Sequence, residues 1–248
     1  MTARVRSLVF LPVAAVLAGL LLWGLAGMPD FGTAHPGYFA RAVALQATTQ
    51  RHVTNVPSAV VFDYRGVDTL GEELILFTCV MGVALLLRSS RSAEERAPVD
   101  RLAGGPQRRL GVLAVPVTLL LGVWLVTYGY LTPGGGFQGG VVCGAAALLV
   151  WAVGSYRDHL ALTPTALVDA AEGFGAAAYV TVGVGALVAG QAYLANFLPL
   201  DGIGTLTSGG TIIVLNWATG LEVAAATVLV LREFLKEYVQ SLPHARKS

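Results

Sequence analysis

The stretch Tyr130–Gly140, YLTPGGGFQGG, places five glycines and a proline in eleven residues between two long apolar runs. Gly134, Gly136 and Gly139 fit the pattern G-x-G-x-x-G of a phosphate-cradling loop. That loop needs a strand before it and a βαβ unit around it. Here a run of membrane-span length, Leu110–Leu131, precedes it, and the acidic residue downstream, Asp158, lies beyond another whole run. A turn between membrane helices is the reading that fits. Proline cannot continue the ladder of the helix before it, and glycine permits positive φ and close backbone approach. The turn is assigned to Pro133, Gly134, Gly135, Gly136, Phe137, Gly139 and Gly140. A short re-entrant segment buried in protein is the other architectural form open to it.

Composition points the same way. Of 248 residues, 55% are hydrophobic and 12% charged, about half the charge of a soluble domain. The mean hydropathy is +0.67. The expected class is an all-α integral membrane protein. A formal net charge of +1 gives no sign of a nucleic-acid partner. Cys79 and Cys143 both sit inside apolar runs and frame neither a disulfide nor a metal site.

A bilayer core about 30 Å thick takes roughly 20 apolar residues as a helix. Six segments qualify or nearly so: Ser7–Met28, Glu72–Leu87 with an upstream extension, Leu110–Leu131, Phe137–Gly154, Gly173–Leu194 and Gly209–Leu231. The first follows Arg4 and Arg6 like a signal peptide, but it is longer than the roughly 7–15 residues of such a core and is expected to be a retained helix. With the N-terminus cytoplasmic, Arg88, Arg91, Arg96, Arg101, Arg108, Arg109, Arg157, Arg232 and Lys236 all fall inside, while Arg41 and Arg51 fall outside. Both termini are therefore expected in the cytoplasm. The loop Ser89–Gln107, polar and rich in Pro and Gly, is the one linker. The expected organisation is 1–95, a two-helix segment; 96–107, a cytoplasmic linker; 108–235, a four-helix domain; and 236–248, a cytoplasmic tail.

Small residues supply the packing signal. Gly140 and Gly144 form G-x-x-x-G, and Ala177, Thr181, Gly185 and Ala189 recur every fourth position. Such stripes allow close helix contact where no hydrophobic drive exists.

Polar groups inside the membrane are costly and mark function. Glu222 lies near the middle of the last span, with Thr219 and Asn216 about one and two turns before it. It is either a proton-relay or ion-path carboxyl or a hydrogen-bonded group that holds helices together. The segment Asp63–Glu73, DYRGVDTLGEE, is the second cluster. On a helix, Asp68 and Glu72 share a face and Arg65 can reach one of them. These side chains, with Asp63, either hand on protons or attract Na⁺, or form a structural ion pair. Asp169 and Glu172 are expected to open the fifth span, where acidic groups suit the helix dipole. His159 is expected to be solvated, and Tyr38–Gln50, YFARAVALQATTQ, to form an amphipathic helix. His35, His52 and the others show no metal-ligand spacing, no nucleophile motif appears, and no cofactor is indicated.

Two stretches resemble a known family. Pro133–Gly140, PGGGFQGG, looks like the P-G-G-G-F-x-G-G signature of the B-type subunit of the Mrp-type multisubunit Na⁺/H⁺ antiporters, and Gly209–Ala225 resembles the closing helix of its relatives. Asn55–Glu73, NVPSAVVFDYRGVDTLGEE, is similar to the tail of the large A-type antiporter subunit, a segment that also occurs as a small subunit of membrane-bound hydrogenases. The chain thus resembles a fusion of that tail, to about residue 95, with the B-type subunit, about 108 to 235. Where the family has Asn-Ala before Pro-Gly-Gly-Gly, this chain has Leu131-Thr132, so no role of that Asn carries over.

The resemblance implies an accessory, non-enzymatic, multi-pass subunit in a prokaryotic cell membrane. Its implied partners are large antiporter-like subunits, small helical subunits, the bilayer and, in some hosts, a redox module. The ion-path candidates are Asp63, Arg65, Asp68, Glu72, Asn216 and Glu222. The alternatives are a purely structural assembly subunit, or the antiporter arm of a membrane-bound hydrogenase or other redox complex. A self-sufficient transporter is expected to show paired repeats, and no convincing repeat is present.

Overall fold

In the computed structural model, the described residues are 38–89 and 104–241, with isolated positions between 12 and 27. Ser7–Met28, most of the linker and the tail beyond 241 therefore lie largely outside the described residues. Among the described residues all regular structure is helical. Two compact units are present, Met1–Val43 and Ala44–Ser248. Only the opening turns of the first helix are continuously described in the former.

Helix α1, Tyr38–Arg51, is the expected amphipathic segment. After Val53 comes α2, Val56–Ala59, with Pro57 in its first turn, running on as a π-helical turn over Val60–Tyr64. That turn closes with Arg65 N–H donating to Val60 O at 2.8 Å, an i→i−5 bond that inserts one extra residue into the spiral. Helix α3, Gly66–Ser89, follows. Helix α4, Gly105–Thr127, starts with Pro106 in its first turn, and the Gln107 side chain accepts from Gly104 N–H. Helix α5 is Gly136–Val153. The short α6, Tyr156–Leu162, is capped reciprocally by Ser155 and Asp158. Helix α7 is Thr165–Val188 and α8 is Thr211–Ser241. Asn196 caps α8, accepting from Thr211 N–H at 2.8 Å and donating to Gly209 O at 3.0 Å.

Five of these helices are long and apolar enough to cross a membrane: Gly66–Leu87, Gly105–Thr127, Gly136–Val153, Thr165–Val188 and Thr211–Leu235. The last is the hub. Its most apolar window is 61% buried, against 11% for α3 and α4, because α3, α5 and α7 all pack on α8 while α4 packs mainly on α5. At one end, Phe62, Tyr130, Tyr179, Leu194, Ile212 and Leu215 form a buried apolar core.

The glycines explain the close contacts. A Cβ on Gly136 or Gly140 would meet α8 at 2.6 Å from Asn216 O and 2.7 Å from Val223 Cβ, and one on Gly139 would meet Gly122 O of α4 at 2.7 Å. The Gly140/Gly144 expectation thus holds, with Gly144 against Thr227. The stripe on α7 differs from expectation. Ala177, Thr181 and Ala189 are exposed, and the packed face carries Gly175, Tyr179, Gly183 and Ala186. The four-residue spacing is real but its phase differs by more than half a turn, because Gly175 is where α7 meets the α8 backbone.

Candidate functional site: a buried carboxyl set on three helices

The Gly-rich turn is shorter than the sequence implies. Gly136, Phe137, Gly139 and Gly140 already belong to α5, and Pro133 is exposed. Gly134 and Gly135 take φ of 155° and 146°, a region L side chains avoid. Carbonyls left outside helices here are collected by two side chains, Asn55 and Ser58. Asn55 Nδ2 donates to Gly129 O at 2.5 Å and to Thr132 O at 2.9 Å, while Ser58 Oγ donates to Gly129 O at 2.6 Å. Asn55 N–H also donates to Tyr130 O at 3.0 Å. On the far side of the turn, Gly136 N–H donates to Asn216 Oδ1 at 2.9 Å. The turn is a hydrogen-bonded joint between α2, α5 and α8.

Asn216 opens a fully buried polar line on α8 that continues through Thr219 to Glu222. At Glu222 the helices α7 and α8 touch backbone to backbone: a Cβ on Gly175 would lie 2.7 Å from Glu222 Cβ and 2.8 Å from Ala218 O. The Glu222 carboxyl lies within electrostatic reach of Glu73 of α3 and of Glu172 of α7. Glu73 and Glu222 have no exposed surface, and Glu172 is 4% exposed. Neither Glu73 nor Glu222 makes a hydrogen bond to any other described residue, nor does Glu172 Oε1 or Thr219 Oγ1. Three helices thus deliver three carboxyls into the protein interior, within the membrane-spanning segments, and among the described residues no cationic side chain is paired with them. Like charges brought together in a low-dielectric site disfavour one another.

The sequence expectation puts Glu172 at a helix start. Helix α7 in fact begins about two turns earlier, at Thr165, so Glu172 lies within the helix and faces the interior. Glu73, not its neighbour Glu72, is the inward carboxyl of α3. Glu72 is exposed and Glu73 fully buried, since adjacent helical positions point about 100° apart. Burial of neighbouring Thr69, whose hydroxyl donates to Val61 O at 2.6 Å, marks the same inward face. The structure does not bring Asp63, Arg65, Asp68 and Glu72 together with Glu222. Arg65 pairs with Asp68 three residues on, both well exposed, and Asp63 pairs with Arg51 instead. Burial holds the Asp63 carboxyl above its ordinary range, and the Arg51 guanidinium offsets only part of that. Tyr179 Oη, beside these groups, donates to Gly66 O at 3.0 Å.

At the other end of α7 and α8 lies a second group, and here the expectation of a solvated His159 is corrected. His159 is fully buried; its Nδ1 sits 3.0 Å from Ala147 O and its ring stacks on Tyr156. The Ser155–Asp158 capping box is a sequence signal for the start of α6, but not for its packing on α5. Arg232 is 2% exposed, and its Nη1 donates to Thr165 Oγ1 at 3.2 Å.

Known proteins share this architecture. Residues 108–229 match the model of a domain related to the MnhB subunit of a Na⁺/H⁺ antiporter. An uncharacterised protein of Methanocaldococcus jannaschii is 35% identical over 199 residues, covering 70% of this chain and 74% of the relative. Residues 108–229 thus form a domain of the family related to the MnhB subunit of Na⁺/H⁺ antiporters. In Rhizobium meliloti, a probable K⁺/H⁺ antiporter protein named for both the A-type and the B-type subunits is 31% identical over 72% of this chain, which spans only 20% of that much longer relative. Among solved structures, a chain of the membrane-bound sulfane sulfur reductase, an archaeal respiratory membrane complex, superposes with a TM-score of 0.71 at 26% identity, covering 93% of this chain and 98% of the other. A chain of the Mrp complex of a Dietzia species shares the fold, with a TM-score of 0.70 at 22% identity, over 98% of this chain and 27% of that one.

Proposed function

We propose that this chain is an accessory subunit of a multisubunit cation/proton antiporter-related complex, in which Glu73, Glu222 and Glu172 carry protons between helices. The observation that carries the reading is three unpaired carboxyls buried on three packed helices. In a proton step, a protonated Glu222 gives its proton to ionised Glu172 or Glu73 and is left as the carboxylate, so charge moves without a metal ion being stripped of water. Asp63, Asp68 and Glu72, with Arg51 and Arg65 beside them, form the polar entrance at the α3 start, and Asn216 fixes α8 against the turn. The basic side, bearing Arg108, Arg109, Arg157 and Arg232, is the cytoplasmic one.

Residues 108–235 correspond to the antiporter's B-type subunit, and 1–95 to the tail of the A-type subunit fused ahead of it. One alignment running across 208 residues of the Rhizobium protein supports that fusion. A second reading, the ion-pumping arm of a redox complex, is favoured by the near-complete overlap with a chain of a respiratory complex. Purification in mild detergent through a C-terminal tag, with co-purifying subunits identified by mass, tests both. Large antiporter-like partners alone fit the antiporter, and additional iron–sulfur subunits fit the redox arm. A chain that purifies alone contradicts both.

A further inference from the structure

We propose that Arg232 is the selectivity element at the basic end of the carboxyl set, a buried guanidinium that lets protons leave and turns metal cations back. The inference rests on the proton-carrying reading above and adds to it the residue that decides which ion passes. The Thr165 hydroxyl it binds belongs to the first residue of α7. Its head group therefore lies at that helix end, about 10 Å of helix rise below Glu172. Its Nε and Nη2 have no hydrogen-bond partner among the described residues. Asp169 joins the two levels, interacting electrostatically with both Glu172 and Arg232. Helix α6 contributes Tyr156 and His159 to the same neighbourhood, and α8 itself contributes Glu233.

The order along the membrane is then Glu73 and Glu222, Glu172, Asp169 with Arg232, and the basic surface. A proton crosses this end by bonding to one carboxylate oxygen at a time, from Glu172 to the exposed Asp169, and needs no coordination shell. A metal cation needs several oxygen ligands in exchange for its water. At this end it meets Asp169 and Glu233, both already drawn to a guanidinium that stays charged at every relevant pH. Among the described residues no three His, Cys, Asp or Glu side chains are placed to hold a metal ion.

The test uses the complex purified through this subunit and reconstituted in liposomes, with passive ²²Na⁺ uptake and proton conductance read separately. Arg232→Gln is expected to raise ²²Na⁺ uptake several-fold at unchanged subunit content, and Arg232→Lys to keep it near the wild-type level. Asp169→Asn, at an exposed position, is expected to slow proton conductance, because it removes the charge that offsets the guanidinium. Assembled Arg232→Gln complex with wild-type ²²Na⁺ uptake overturns the proposal. Should that variant not assemble, Asp169→Asn with unaltered proton conductance overturns it. Wild-type proton conductance in Glu222→Gln instead removes the underlying carboxyl reading, whatever Arg232 does.

Discussion

Glu73 on α3 and Glu222 on α8 interact with one another inside the protein, neither with any exposed surface nor bonded to another described residue. A pair held this way is energetically one unit. Replacing either by glutamine removes one ionisable member of the pair, so the second replacement has less left to remove. Thermal unfolding of Glu73→Gln, Glu222→Gln and the double variant is expected to be non-additive by about 0.5–3 kcal/mol. Additive effects would place the two carboxyls in separate environments.

His159 predicts an acid-sensitive step. Burial lowers its pKa from the ordinary 6.5, and Arg232 lowers it further, while the bond to Ala147 O acts the other way. The unfolded chain therefore binds the proton more readily than the folded one. The stability contribution is fully present above about 6.5 and is lost as pH falls from there toward the folded value. Melting temperature measured from pH 8 to pH 5 should drop for the wild type. For His159→Asn, whose side-chain amide N–H stands where Nδ1 faces Ala147 O, that part of the drop should be absent.

The glycine contacts separate structural glycines from incidental ones. Gly139→Ala drives a methyl to 2.4 Å from Val126 Cγ2 and 2.7 Å from the Gly122 carbonyl. It should cost about 1–3 kcal/mol or block assembly. Gly82→Ala meets nothing within 4 Å and should be neutral to stabilising, by up to about 1 kcal/mol. Detergent-solubilised thermal stability of the two variants checks the contrast.

The joint at the turn predicts that the linker is dispensable. Residues 1–95 reach the rest of the protein through Asn55 and Ser58 on the turn carbonyls, Thr54 on Leu131 O and Gly66 O on Tyr179. Co-expressed as separate chains, 1–95 and 108–248 should purify together. Asn55→Ala, which takes a donor from two turn carbonyls at about 1–3 kcal/mol, should weaken that association. Failure of the unmutated halves to associate would contradict the joint.

Much of this architecture is legible in the residues themselves. Hydropathy alone places α3, α4, α5, α7 and α8, and the glycines of PGGGFQGG announce a close approach. Helical phase is what the pattern leaves open. Glu72 and Glu73 are indistinguishable by composition, and only the burial of Thr69 four residues earlier tells which one turns inward. Glu172 resembles a helix-start residue because the apolar run begins at Gly173, whereas the helix itself begins at Thr165. An apolar run marks the lipid-facing and packed part of a helix, not its hydrogen-bonded length. His159 and Arg232 read as surface groups because sequence order does not reveal that α6 folds back onto α5 and that Arg232 is covered at the α7 end.

Proton transport by the reconstituted complex carrying Glu222→Gln tests the central claim most directly. With subunit content unchanged, the variant is expected to lose most proton-coupled cation exchange, and Glu222→Asp, which keeps an ionisable group at the same position, to retain a measurable part. Exchange at the wild-type rate in fully assembled Glu222→Gln complex would contradict the claim and leave Glu222 as a residue that only holds helices together.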